Sequence, residues 1–210
     1  SAAPPTRNRK TERRRRGRGS ASRGGSTGGS YRGEKQMLSP GEEAPALTPY
    51  GRGVGYWDVR HAEDRDSGYA FDWLYEYAHL RGILSRHVAP DAAVLQLGCG
   101  NSRLALEWAR DGHTGLLCNV DFSASLIAQM RAEGLGADGL LAEHANVTWE
   151  VADVRNLGEA EFPSGSFDAV LDKATFDCVA CNGLDYQSDL EAMCLEVARV
   201  LRPGGVYLLL

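Results

Sequence analysis

The chain has 210 residues, 43% of them hydrophobic and 24% charged, which suits a soluble domain with a buried core. No stretch approaches the roughly 20 apolar residues that span a bilayer, and the N-terminus lacks the apolar stretch of a secretory signal. The net charge of −5 divides unevenly, because residues 1–35 hold eleven Arg and Lys against Glu12 and Glu34. That leaves +9 on the first segment and −14 on residues 36–210. An acidic body argues against a nucleic-acid groove in the fold, which needs clustered cations.

Residues 1–48 are rich in Arg, Gly, Ser and Pro, with few large apolar side chains. They cannot bury enough surface to offset chain entropy, so a disordered basic tail is expected there. Arg13-Arg14-Arg15-Arg16-Gly17-Arg18 fits a nuclear-import or nucleic-acid patch. A solvated arm or an organelle transit segment is the simpler reading, and the expected location is cytoplasmic.

A folded domain is expected over residues 49–210. Tyr56, Trp57, Tyr69, Phe71, Trp73, Tyr75 and Tyr77 crowd its start. Residues 71–88 read as a helix with Leu74, Tyr77, Leu80 or Arg81, and Leu84 near a 3.6 period, ended by Pro90-Asp91. Residues 93–97 form an apolar strand running into glycines, and Ser102 to Arg110 a helix that stops near Gly112. A second strand covers 116–120, and Ser123 caps a helix that carries Leu126, Ile127 and Met130 and closes at Gly134. Val147–Val151 and Phe167–Asp172 are strands three and four. Ser188-Asp189-Leu190-Glu191 reads as a capping box, opening a helix with Leu190, Cys194, Val197 and Leu201 on one face. Arg202-Pro203-Gly204-Gly205 is a turn, and Val206 begins a fifth strand that runs to the last residue, Leu210.

Strands alternating with helices predict an α/β fold, a doubly wound and mainly parallel sheet. Cys99, Cys118, Cys178, Cys181 and Cys194 read as reduced, buried thiols. Cys178 and Cys181 have the spacing of a metal or redox pair, but no second pair or His cluster accompanies them, so no metal is expected.

In such a sheet, ligands sit beyond the carboxyl ends of the strands. Gly98 and Gly100 follow strand one and permit close backbone approach. A dinucleotide site calls for a third glycine where this chain has Arg103, which weakens the nicotinamide reading. Asp121 ends strand two, where a carboxylate accepts both hydroxyls of a ribose, and Phe122 lies beside it for the adenine face. Asp153, after strand three, is placed to accept from an adenine amino group, with the Val154 amide as a donor. Each acid has a plainer reading as a helix cap or turn residue.

The segments Val94-Leu95-Gln96-Leu97-Gly98-Cys99-Gly100-Asn101-Ser102, Asn119-Val120-Asp121-Phe122-Ser123, Ala152-Asp153-Val154-Arg155 and Asp172-Lys173-Ala174-Thr175-Phe176-Asp177 resemble class I S-adenosylmethionine-dependent methyltransferases. With Tyr56-Trp57-Asp58-Val59-Arg60-His61 and Phe71-Asp72-Trp73, they resemble the branch containing the elongation factor 1A lysine methyltransferases. The resemblance covers about residues 50–210. It implies S-adenosylmethionine as cofactor and a protein lysine as methyl acceptor. Gly98, Asp121, Phe122, Asp153, Val154 and Lys173 would then line the cofactor site, with Trp57, His61 and Trp73 closing over it. His61 stands where that branch usually has Tyr. Asp172 or Asp177 would orient the acceptor amine. The resemblance also implies a seven-stranded sheet, so a chain ending on strand five is expected to be truncated and poorly stable. The alternatives are a noncatalytic adenosyl-ligand or protein-binding module, a methyltransferase acting on a small molecule, and the disfavoured oxidoreductase.

Overall fold

The computed structural model describes residues 53–66, 72–134 and 145–210. The expected disorder over residues 1–48 falls outside this range. Twelve elements follow in order: α1 (Val54–Asp66), α2 (Tyr77–His87), β1 (Val94–Leu97), α3 (Leu104–Arg110), β2 (Leu117–Asp121), α4 (Ala124–Gly134), β3 (Val147–Val151), β4 (Phe167–Asp172), α5 (Thr175–Ala180), a 3₁₀ turn (Gly183–Asp185), α6 (Tyr186–Val200) and β5 (Leu201–Leu209).

The strands form one sheet in the order β3-β2-β1-β4-β5, and every pairing is parallel. A parallel sheet is covered on both faces, and successive side chains sort accordingly. Val94, Leu117, Ala169 and Leu171 join Leu80 and Leu84 of α2, Trp108 of α3 and Ile127 of α4 in one core. Their neighbours Leu95, Leu97, Cys118, Val120 and Val170 face the other way, onto Met193, Val197 and Val200 of α6. Leu95 and Leu97 are fully buried, and each contributes about 1.5–3 kcal/mol by leaving water. The order reverses at β1, whose neighbours are β2 on one side and β4 on the other. Beyond its carboxyl end lies the crevice where such sheets hold ligands.

Several expected boundaries move, each for a local reason. The helix expected over 71–88 starts at Tyr77, because Leu74 adopts a left-handed φ of 66° and Glu76 is extended. Leu74 is therefore exposed and leaves the apolar stripe to Tyr77, Leu80 and Leu84. The capping box at Ser188 does not form. α6 begins at Tyr186, and the Ser188 hydroxyl donates back to the Asp185 carbonyl at 2.9 Å. Its buried stripe is Met193, Val197 and Val200, so Cys194 is exposed and Leu201 opens β5. The turn expected at 202–205 is a bulge within β5, between the pairs Phe167–Leu201 and Ala169–Val206. Of the five thiols expected to be buried, Cys99 and Cys118 are, while Cys178 and Cys181 are half-buried. Ser123 does cap α4, its hydroxyl accepting from the Leu126 amide at 3.2 Å.

Candidate functional site

Two glycines stand in the loop that follows β1, both left-handed, with φ of 52° at Gly98 and 54° at Gly100. Only at Gly98 is space also limiting, since a Cβ there would lie 2.2 Å from Thr175 Oγ1. Thr175 cannot easily withdraw, because its hydroxyl donates to the Leu97 carbonyl at 2.9 Å. The loop after β1 thus packs directly on the start of α5.

Asp121, the last residue of β2, joins two loops. Its Oδ2 accepts from the Gly100 amide at 3.1 Å and its Oδ1 from the Ser123 amide at 3.0 Å. The side chain is buried, and desolvation raises its pKa above the ordinary carboxylate value. The two amides and His61 oppose that shift, while Asp58 adds to it. These bonds occupy one lone pair on each oxygen, leaving acceptor capacity toward the cleft.

That cleft encloses about 1160 Å³, its open mouth included. Gly98, Gly100, Asp121, Phe122, Asp153, Val154 and Lys173 all line it, as do Trp57, His61 and Trp73. Ten of the residues singled out from the sequence are therefore brought together at the carboxyl ends of β1 to β4.

Asp172 and Asp177 are not among the lining residues. Asp172 is fully buried and turned back into the protein, accepting from the Thr175 and Phe176 amides and, at 2.9 Å, from the Tyr207 hydroxyl. Its carboxylate holds the loop after β4 against β5, so it does not face an acceptor amine. Asp177 points outward and is exposed.

Asp153 lines the cleft but is held by Arg155. The Arg155 amide and Nε donate to its Oδ1 at 2.9 Å, and Nη2 donates to Oδ2 at 2.6 Å. These bonds pull the Asp153 pKa below its ordinary value. Arg155 Nη1 continues to Asp189 Oδ1 at 3.0 Å, and Asn182 Nδ2 donates to the same carboxylate. Arg155, Asp189 and Asn182 also line the cleft, and the sequence reading assigned none of them to it. The signal for Arg155 is its place two residues after a strand-end acid. Asp189 carries no such signal, since α6 enters the cleft wall only through the tertiary fold.

Lys173 is buried, and desolvation lowers its pKa, opposed by Asp72. Its Nζ donates to the Trp73 carbonyl at 2.8 Å and lies 3.3 Å from Asp72 Oδ1. The Ser102 hydroxyl donates to the same Asp72 oxygen. Trp57 stacks on His61 with ring centroids 5.7 Å apart. Among the described residues, no three His, Cys, Asp or Glu side chains converge to hold a metal ion. None of the described helices is long and apolar enough to cross a membrane.

Fold and site together define a doubly wound α/β protein with a cleft suited to a nucleoside-type ligand. The chain belongs to the methyltransferase domain family, whose sequence model matches residues 94–205. It is 34% identical over 164 residues to EEF1A lysine methyltransferase 4 of Mus musculus, covering 75% of this chain and 60% of that protein. It is 35% identical over 164 residues to the mitochondrial citrate synthase-lysine N-methyltransferase of Homo sapiens, covering 72% and 67% of the two. Against the Bos taurus EEF1A lysine methyltransferase 4, the chain spans 66% of that protein's length. Among solved structures, the [4+2]-cyclase SpnF superposes with a TM-score of 0.56 at 20% identity, over 79% of this chain and 61% of that one. Haemonchus contortus phosphoethanolamine N-methyltransferase 2, solved with S-adenosylhomocysteine, gives a TM-score of 0.53 at 22% identity, over 75% and 34%. These two likenesses concern the fold, and one of the two proteins is named a cyclase, so fold alone does not fix the reaction.

Proposed function

We propose that this chain is an S-adenosylmethionine-dependent methyltransferase acting on a protein lysine, with a substrate resembling elongation factor 1A. The observation that carries the reading is the grouping of Asp121 and Asp153 with the Gly98–Gly100 loop around one cleft at the sheet's reversal point. The names of the relatives supply the acceptor class.

The residues present fit the cofactor. Asp121 is a buried carboxylate, already oriented by two amides, that would accept the ribose hydroxyls. Gly98 and Gly100 would let the backbone approach the methionyl part. Phe122, Val154 and Asp153 would take the adenine, whose amino group would share the Asp153 oxygens with Arg155. When bound, S-adenosylmethionine supplies an activated methyl group on a sulfonium. The protein's share is alignment and exclusion of water, which Trp57, His61 and Trp73 would provide from above. Lys173 is engaged with Trp73 and Asp72, and so serves to hold this cover rather than to attack. A cytoplasmic location belongs to the same proposal.

The test is transfer of labelled methyl groups to lysines of elongation factor 1A, with Asp121→Ala as control. Lysine labelling by the wild type that falls at least about tenfold in the variant is expected, given the loss of an ionic acceptor. Equal labelling by both proteins would sink the assignment of this cleft.

A further inference from the structure

Few of the described side chains in the N-terminal segments over the cleft are fully buried. Of the described α1 side chains only His61 is buried, while Val54 and Val59 are 44% and 61% exposed. Between Asp72 and Glu76 no side chain is buried. Helices that cover a site by burying little surface need another source of order.

The structure supplies it twice, in the same form. Asp58 Oδ1 accepts from the Ser123 hydroxyl, and from the Ser125 hydroxyl at 3.1 Å. Asp72 Oδ1 accepts from the Ser102 hydroxyl and from Lys173. Both Ser102 and Ser123 also accept from the start of the helix that follows, from the Leu104 and Leu126 amides at 3.2 Å each. Each hydroxyl oxygen therefore accepts from a first-turn helix amide while its hydrogen is given to the cover. Ser123 further donates its amide to Asp121, and Ser102 stands two residues after Gly100.

We infer that Asp58 and Asp72 are positioning residues, latches that fasten the N-terminal cover to the loops after β2 and β1 through Ser123 and Ser102. Neither aspartate lines the cleft. Asp58 instead sets where its neighbours Trp57, Arg60 and His61 stand along the cleft wall. The position of the cover and the shape of the Asp121 loop are thereby linked through Ser123. The effect on ligand affinity rests on the S-adenosyl reading given above; the latching of α1 does not.

Asp58 gives the cleaner test, because removing Asp72 would also strand Lys173 without its counter-charge. Hydrogen exchange is followed in the free 210-residue protein for Asp58→Ala and Asp58→Asn, with peptides of β1 and β2 as internal reference. In Asp58→Ala, amides of α1 are expected to exchange about tenfold faster while β1 and β2 keep wild-type rates, the cost of losing a bond to a charged acceptor. Asp58→Asn keeps an acceptor oxygen and is expected to fall between the two. Titration with S-adenosylhomocysteine is expected to show about tenfold weaker binding in Asp58→Ala, with partial recovery in Asp58→Asn. Wild-type exchange in α1 of Asp58→Ala would overturn the latch. So would faster exchange throughout Asp58→Ala, if Asp58→Asn shows no change confined to α1. If the wild type fails to bind S-adenosylhomocysteine while α1 loosens selectively, the latch stands and the cofactor reading falls.

Discussion

Asp121 is a carboxylate kept where ionisation is costly, and its environment sets how it should respond to acid. Burial raises its pKa, and the Gly100 and Ser123 amides only partly compensate. Ribose hydroxyls need the ionised form as acceptor, so binding protons competes with binding ligand. Affinity for S-adenosylhomocysteine is expected to be greatest where Asp121 is ionised, above its raised pKa. It should fall as pH drops through a window above that of an ordinary carboxylate. Titration calorimetry across that range checks this, and a decline confined to the ordinary carboxylate range would contradict it. Asp121, Gly98 and Gly100 were legible in the sequence because a strand's end fixes where its next residues must lie. Asp172 was not, although it also ends a strand. Whether such a side chain turns to the cleft or back to the following loop depends on neighbours remote in sequence, here Tyr207. For the same reason the Arg155–Asp189 contact could not be read, since its partners stand 34 residues apart.

At the scale of elements, the three central strands β2, β1 and β4 were legible because burial on two faces leaves a largely apolar run. α1 and α5 were not, since neither carries a fully buried apolar stripe: only His61 is buried among the described side chains of α1, and in the short α5 Phe176 and Val179 are only partly buried. The end of β1 and the start of α5 touch at Gly98 and Thr175, and this contact can be measured. Gly98→Ala combines a left-handed φ with a Cβ placed 2.2 Å from Thr175 Oγ1. It is expected to cost about 2–4 kcal/mol, from backbone strain and overpacking together. Urea unfolding would report it. In a Thr175→Ala background the same substitution should cost less, because Oγ1 and Cγ2 are gone and only the backbone strain and the tight contact with the residue's Cβ remain. Equal costs in both backgrounds would show that the side chains do not collide.

For the whole molecule, a ligand that binds only the folded state raises its stability by mass action. S-Adenosylhomocysteine at a hundred times its Kd is expected to add about 2.7 kcal/mol, lifting the Tm by roughly 5–10 °C for a domain of this size. A scan of Tm against concentration checks it, and a flat response would count against the cleft as an S-adenosyl site. The overall architecture was the most legible level of all, because alternating elements leave few arrangements open.

Asp172 has a consequence beyond its own loop. Its two oxygens serve the Thr175 and Phe176 amides and the Tyr207 hydroxyl at once, so a change at Tyr207 takes one donor from a fully buried carboxylate, and a change at Asp172 takes the acceptor from the half-buried Tyr207 hydroxyl. Positions 172 and 207 are therefore not free to drift separately. In descendants of this sequence they should be inherited as a couple, an exchange at one accompanied by an exchange at the other.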